Sequence, residues 1–243
     1  MPQKKGRIVR PIDKIRTESL VNRIYRKFVK RLLDIVLSVF ALIVLSPLIL
    51  AVSVLIRLNL GSPVIFRQCR IGKGNKEFYL LKFRSMTEAR DKNGVYLPDL
   101  KRITRFGRFI RAASIDELPN LINILKGEMS IIGPRPLPRR YLPRYTKEQL
   151  RRHEVRPGLS NAAVVNGRNT QNWDEQFAMD VWYVDHISFL VDVKSMIDTI
   201  RIILTHRGAT SEDGDSRCEF VGTADPTSLV DFDNNYMKMQ KGE

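Results

Sequence analysis

Asp116 and Glu117 are adjacent carboxylates within Arg111-Ala-Ala-Ser-Ile-Asp-Glu-Leu-Pro-Asn, a stretch that reads as the entry to a helix. Ser114 and Glu117 match the S-x-x-E capping box. Pro119 would then fall at the fifth helical position rather than the first, and Leu118 is an alternative cap. Either start leaves both carboxylates beside a helix N-terminus, whose dipole favours the ionised form and hence a nucleophile or a metal ligand. Ordinary capping accounts for the same pair without any chemistry. Further on, Gly127-Glu-Met-Ser-Ile-Ile-Gly-Pro-Arg-Pro sets Arg135 between Pro134 and Pro136. Two fixed backbone angles present that guanidinium from a stiff support, which suits bidentate phosphate recognition. Lys82, Arg84 and Arg111 add anion-binding groups, and Val165-Asn-Gly-Arg168 is a turn that displays another. There is no GxxxxGK[ST] phosphate loop, Gly72-x-Gly74 does not continue into a dinucleotide fingerprint, and there is no GxSxG elbow.

The elements that must position these groups begin with a basic arm over residues 1–22. Residues 1–31 carry eleven Lys and Arg against Asp13 and Glu18. From Leu32 to Ile56 runs an apolar segment long enough to cross a bilayer core of about 30 Å. Ser46-Pro47 sits near its middle, where proline removes a backbone hydrogen bond, so a kink or break is expected. Each half is then too short to cross alone. Both flanks are basic, Arg23 to Arg31 before and Arg57 to Lys76 after, and the positive-inside rule puts both ends in the cytoplasm. A re-entrant helix over residues 23–57, broken at Ser46-Pro47, satisfies both conditions.

Beyond it, residues 58–206 read as one catalytic domain and 207–243 as a polar tail. Extended pieces are expected at Pro63 to Gln68 and Phe78 to Arg84, joined by a turn at Gly72-Lys-Gly-Asn. Arg102, Arg105, Arg108 and Arg111 recur every three residues beside Phe106, Phe109 and Ile110, as in a basic amphipathic helix lying on anionic headgroups or one with a solvated basic face. Residues 118–126 form a helix stopped by Gly127. Thr146 caps a short helix to Glu154, and Trp173 to Leu190 is a longer one. Asp192 caps a last helix whose stripe Val193, Met196, Ile197, Ile200, Ile203 and Leu204 reads as core.

The 243 residues allow one sizeable domain plus an appendage. Lys and Arg number 41 against 26 Asp and Glu, a net charge of +15, so the chain seeks anionic partners such as phosphorylated substrates or acidic lipid. Nucleic acid is not expected, because the aromatics lie in apolar runs and much of the charge flanks the hydrophobic segment. Two cysteines, Cys69 and Cys218, exclude a disulfide scaffold, and three scattered histidines give zinc little support.

Taken together, the basic arm, the Ser-Pro-broken apolar segment, Lys82-Phe-Arg-Ser-Met, Ser114-Ile-Asp-Glu-Leu-Pro-Asn-Leu, Asn123-Ile-Leu-Lys-Gly-Glu-Met-Ser-Ile-Ile-Gly-Pro-Arg-Pro, Arg156-Pro-Gly-Leu and Val165-Asn-Gly-Arg resemble the bacterial sugar transferases. These are the monotopic polyprenol-phosphate phosphoglycosyl transferases, and the chain is most similar to their small PglC-type members. The resemblance spans residues 25–205. It implies a re-entrant membrane helix, interfacial amphipathic helices and a mixed, helix-rich α/β catalytic domain facing the cytoplasm at the bacterial inner membrane. Carried onto this chain, it makes Asp116 the nucleophile on the β-phosphate of a UDP-sugar and a ligand of Mg2+, with UMP released and undecaprenyl phosphate as acceptor. Glu117 would position the nucleophile or assist proton transfer, while Lys82, Arg111 and Arg135 would neutralise phosphate charge. Anionic membrane lipid is a further expected partner, as is either a second copy of the chain or a downstream glycosyltransferase. The chain departs from the family pattern at Asn161 and Val164, before Val165-Asn-Gly-Arg. A membrane-tethered protein that binds nucleotide sugars without turnover is the alternative.

Overall fold

The computed structural model describes residues 20–161, 173–205 and 220–222. It begins with 41 consecutive helical residues, Leu20 to Leu60: α1 (Leu20–Ile24), a π-helical turn (Tyr25–Val29) and α2 (Lys30–Leu60). This stretch is long and apolar enough to cross a membrane. Its helical pattern continues through Pro47, so the expected interruption does not end the helix. The reason lies one residue earlier. Proline cannot donate to the carbonyl four residues back, that of Ile43, and the Ser46 hydroxyl takes that acceptor instead at 2.8 Å.

One narrow stripe of α2 is buried, Asp34 and Ser38 four residues apart and Val52 and Ile56 four apart, the second pair five helical turns beyond the first; Tyr25 is buried in the π-helical turn. The other faces stay open, with Phe40, Ile43, Leu50 and Leu58 each at least 65% exposed. Apolar surface so long and continuous is foreign to a water-soluble face and marks a surface that lipid or another protein covers.

After α2 the chain forms a two-stranded antiparallel hairpin, β1 (Ile65–Ile71) and β2 (Glu77–Phe83), turning through a short 3-10 segment as the glycines suggest. Alternation along β2 sends Phe78 and Leu80 onto Leu121 and Ile124. Two small helices follow, α3 (Asp99–Arg102) and α4 (Arg105–Ala112), the second capped by Thr104, whose hydroxyl accepts from Gly107 N–H at 2.9 Å. Gly107 and Ile110 face inward, while Arg105, Arg108 and Phe109 point out. A 3-10 turn over Ile115–Glu117 leads into α5 (Asn120–Lys126). That helix ends where Gly127 takes φ 84°, a left-handed conformation glycine enters freely.

Next comes β3 (Ser130–Ile132), which pairs in parallel with β4 (Gly158–Ser160). The two strands touch at Gly133 and Gly158, where a Cβ on Gly158 would stand 2.2 Å from Gly133 N. Only glycine fits that crossing. Between these strands lies α6 (Lys147–Leu150), closed by the Thr146/Gln149 capping box and continuing into a 3-10 turn to Glu154. The described part closes with α7 (Trp173–His186) and α8 (Phe189–Thr205). Asp192 lies within the first turn of α8 rather than capping it, and accepts from Tyr25, Lys30 and Tyr183. The α8 stripe is only partly core, for Ile197 and Ile200 are exposed, and the Ile203 and Leu204 side chains lie outside the described residues.

Candidate active site

The acidic pair sits on the 3-10 turn, upstream of α5 rather than inside its first turn. No capping box forms there. Ser114 takes a left-handed φ of 56° and its side chain makes no cap hydrogen bond, so the S-x-x-E spacing serves a tight turn instead. Asp116 is 6% exposed. Burial raises its carboxyl above the usual range, Lys82 opposes that most strongly, Glu117 adds to it, and Arg111 and Arg135 pull it back. Desolvation therefore prevails over the ionising influence expected of a helix start.

Lys82 reaches this turn because of strand periodicity. Phe78 and Leu80 on the same face of β2 grip α5, and Lys82, two residues on, emerges over the turn before it. Its ammonium lies 2.7 Å from Glu117 Oε1 and 3.8 Å from Asp116 Oδ2. Asn123 fixes that spacing: fully buried, it accepts from Leu81 N–H at 3.0 Å and donates to the Tyr79 carbonyl at 2.8 Å and to Glu128 at 2.6 Å. A side chain thus completes the open edge of β2 and ties α5 to the strand that carries Lys82.

Arg135 approaches from the loop after β3. Pro134 and Pro136 are buried while Arg135 is exposed, the stiff presentation anticipated for this triplet. Its guanidinium stands 3.9 Å from Glu117 Oε1. The loop is braced from behind by Arg152, which donates to the Arg135 carbonyl at 2.7 Å. Arg152 itself is 1% exposed and pairs with the fully buried Asp180 at 2.7 Å, with Tyr145 Oη at 3.1 Å. One of two adjacent arginines in Arg151-Arg152-His153, it carries no sequence signal for such a role. Its partner lies 28 residues away on α7.

A pocket beside Asp116, which is not itself on its wall, is lined by Arg70, Leu80, Lys82, Glu117, Asn120, Met129, Arg135, Pro136, Gly158 and Leu159. Arg111 is exposed at the end of α4 and near enough for its charge to act on Asp116. Arg84 is not brought in: it donates to the carbonyls of Ser62 at 2.7 Å and Met86 at 3.1 Å and pairs with Glu88, bracing the end of the hairpin. Arg168 lies outside the described residues, as do most of the basic arm and the tail.

The described residues hold no cluster of three or more His, Cys, Asp and Glu that could by itself hold a metal ion. Mg2+ is commonly held by one or two carboxylates with substrate phosphates completing the shell, and the paired Asp116 and Glu117 fit that kind of site.

A buried and a half-buried carboxylate share one ammonium, with guanidinium groups nearby and a helix attached that is long and apolar enough to cross a membrane. The sequence model of the bacterial sugar transferase family matches residues 25–206, and the chain belongs to that family of enzymes. It is 47% identical over 199 residues to the uncharacterized sugar transferase EpsL of Bacillus subtilis (strain 168), covering 82% of this chain and 98% of the relative. It is 43% identical over 191 residues to the UDP-N-acetylgalactosamine-undecaprenyl-phosphate N-acetylgalactosaminephosphotransferase of Aeromonas hydrophila, covering 75% and 45%. Identity to the UDP-glucose:undecaprenyl-phosphate glucose-1-phosphate transferase of Xanthomonas campestris pv. campestris is 36% over 211 residues, covering 82% and 43%. The chain therefore spans nearly all of the first relative and less than half of the other two.

Proposed function

We propose that this chain transfers a sugar-1-phosphate from a UDP-sugar to undecaprenyl phosphate at the cytoplasmic face of the bacterial inner membrane, beginning the assembly of a glycoconjugate. The observation that carries the reading is Asp116, a buried carboxylate whose ammonium neighbour is held mainly by the carboxylate beside it. That leaves Asp116 comparatively unengaged for attack. An Asp116 carboxylate oxygen bonds to the β-phosphorus while the bond from that phosphorus to the bridging oxygen breaks, and UMP departs with the bridging oxygen. An oxygen of the lipid phosphate then bonds to the same phosphorus, the acyl-phosphate bond breaks, and Asp116 is restored as a carboxylate. Lys82, Arg111 and Arg135 offset the repulsion between a carboxylate and a diphosphate, the electrostatic task on which phosphoryl transfer depends. Mg2+, held by Asp116 with Glu117 alongside, would supply further charge neutralisation on the phosphate oxygens.

The anchor is read as re-entrant. Asp34 and Ser38 precede Pro47, Val52 and Ile56 follow it, and all four are buried, with Asp34 bonded to β3 and Val52 and Ile56 packed on Phe83 and Ile110. Contact with one catalytic domain on both sides of Pro47 favours both flanks lying on one side of the bilayer. Outward-facing Arg105, Arg108 and Phe109 on α4 suit anionic headgroups.

The test is to incubate nanodisc-held protein with a panel of UDP-sugars, Mg2+ and undecaprenyl phosphate, beside Asp116→Asn, and to identify the nucleotide released. UMP from the wild type alone is expected and would name the sugar. UDP would indicate ordinary glycosyl transfer, and no nucleotide from any donor would favour a binding protein without turnover.

A further inference from the structure

Two polar groups line the pocket beside Asp116 without the partners that burial demands. Arg70, near the end of β1, donates to Gln68 Oε1 at 2.7 Å, but its Nε is buried with no hydrogen-bond partner. No carboxylate among the described residues lies within ion-pair distance of it. Burial, followed by the like charges of Arg135 and Arg140, pushes its guanidinium down to about 10, so it remains a cation at neutral pH. Asn120, the first residue of α5, is 2% exposed, and its Oδ1 is likewise buried and unpartnered. Both residues line the pocket together with Lys82, Glu117 and Arg135. Native proteins rarely leave buried polar groups unpaired, and an exception lining a pocket points to a group that binds there. Two guanidiniums, together with a carboxamide whose N–H2 can be turned inward to donate, make a phosphate cradle.

In-line displacement adds a requirement. Whatever leaves the phosphorus in the first step and whatever attacks it in the second must both lie opposite the nucleophile. In the reaction proposed above, on which this inference rests, these are the phosphate of UMP and the phosphate of the lipid, and they need the same place in turn. We infer that Arg70 and Asn120 form that shared phosphate subsite, holding the nucleotide phosphate in the first half-reaction and the polyprenol phosphate in the second.

The test measures equilibrium binding of UMP, inorganic phosphate and undecaprenyl phosphate to full-length protein in nanodiscs, with no UDP-sugar present. Arg70→Gln is expected to weaken UMP and inorganic phosphate at least about tenfold, and Asn120→Ala about threefold or more, as losses of a charged and a neutral hydrogen bond respectively. Undecaprenyl phosphate should displace UMP from the wild type. If only UMP, or only the lipid, loses affinity in Arg70→Gln, the subsite serves one source alone and sharing is overturned. Unchanged affinity for every phosphate in both variants overturns the subsite itself. Should Arg70→Gln fail to fold, wild-type protein treated with the arginine reagent phenylglyoxal decides the matter: UMP should shield Arg70 from adduct formation, and no shielding sinks the assignment. If UMP binds through Arg70 yet no UDP-sugar yields UMP, the subsite stands and the proposed reaction falls. If UMP is produced while Arg70→Gln binds it as the wild type does, the reaction stands and the subsite falls.

Discussion

The Lys82 ammonium is held 2.7 Å from Glu117 Oε1, while the neighbouring Asp116 keeps it at 3.8 Å. One cation thus serves two carboxylates unequally, and Glu117 acts as its mooring. Replacing Lys82 by Met removes the positive charge nearest the reacting centre. UMP release should then slow by about two to three orders of magnitude, the usual cost of losing one preorganised group that stabilises charge. Glu117→Gln should slow it less, because the lysine stays but swings free. A single-turnover assay of UMP from UDP-sugar measures both, and near wild-type rates in Lys82→Met would refute the electrostatic role.

The pH profile follows from the burial of Asp116. Its raised carboxyl requires a higher pH for ionisation than an ordinary aspartate, whose reference value is about 3.9. The acid limb of the rate profile should therefore lie above that value and move higher still in Lys82→Met. Stability has the opposite sign. A group whose folded value is raised stabilises the fold at pH below its unfolded value, and that contribution is lost as pH rises through the folded one. At neutral pH the ionised Asp116 is a burden on the fold. Asp116→Asn should therefore melt at a higher temperature than the wild type, by calorimetry, while releasing no UMP.

The pair Arg152 and Asp180 is buried almost completely, at 1% and 0% exposed. Removing one partner leaves a charge stranded in the interior, at a cost of about 3–5 kcal/mol. Asp180→Ala should show that loss in chemical denaturation. It should also loosen the loop carrying Arg135, whose carbonyl Arg152 holds. Faster proteolysis near residue 135 would report this second effect separately.

Arg84 and Arg135 make a contrasting pair. Arg84→Gln should lower the melting temperature, since its bonds go to Ser62, Met86 and Glu88, yet leave UMP release per folded molecule within about threefold of wild type, a small fraction of the cost of losing a reacting-centre group. Arg135→Gln should do the reverse. Equal loss of turnover in both would return Arg84 to the site.

The outward face of α4 should contribute to membrane binding at about 1 kcal/mol per arginine near an anionic surface. Arg105→Glu with Arg108→Glu should weaken flotation with phosphatidylglycerol vesicles, and the difference should fade in high salt. Unaltered flotation at low salt would free this face of that role.

Much of this was legible because it is local. Gly127 stopping α5, Thr146 capping α6 and Pro134-Arg135-Pro136 presenting its guanidinium depend on residues adjacent in sequence. The convergence of Lys82, Glu117 and Arg135 came from resemblance to a family, not from spacing. What escaped was set by distant partners. Asn123 looks like any helix asparagine until β2 lies beside it, and Asp192 looks like a cap until Tyr25, Lys30 and Tyr183 gather on it. Ser114 and Glu117 satisfied a capping pattern whose helix begins later, and the Ser46 hydroxyl supplied locally what Pro47 removed.

Asp34 Oδ1 accepts from Ser130 Oγ at 3.0 Å and Ile131 N–H at 2.9 Å, so a carboxyl side chain on the apolar helix locks into the strand just before Gly133 and Pro134. A flexible tether would let the catalytic surface swivel above the bilayer. A keyed shaft does not: adding one residue after Asp34 turns everything beyond it by about 100° and advances it about 1.5 Å. In the proposed reaction the rotational setting of the anchor would also set the orientation at which a lipid phosphate arrives, making the helix a jig for the second substrate as much as a moor for the enzyme.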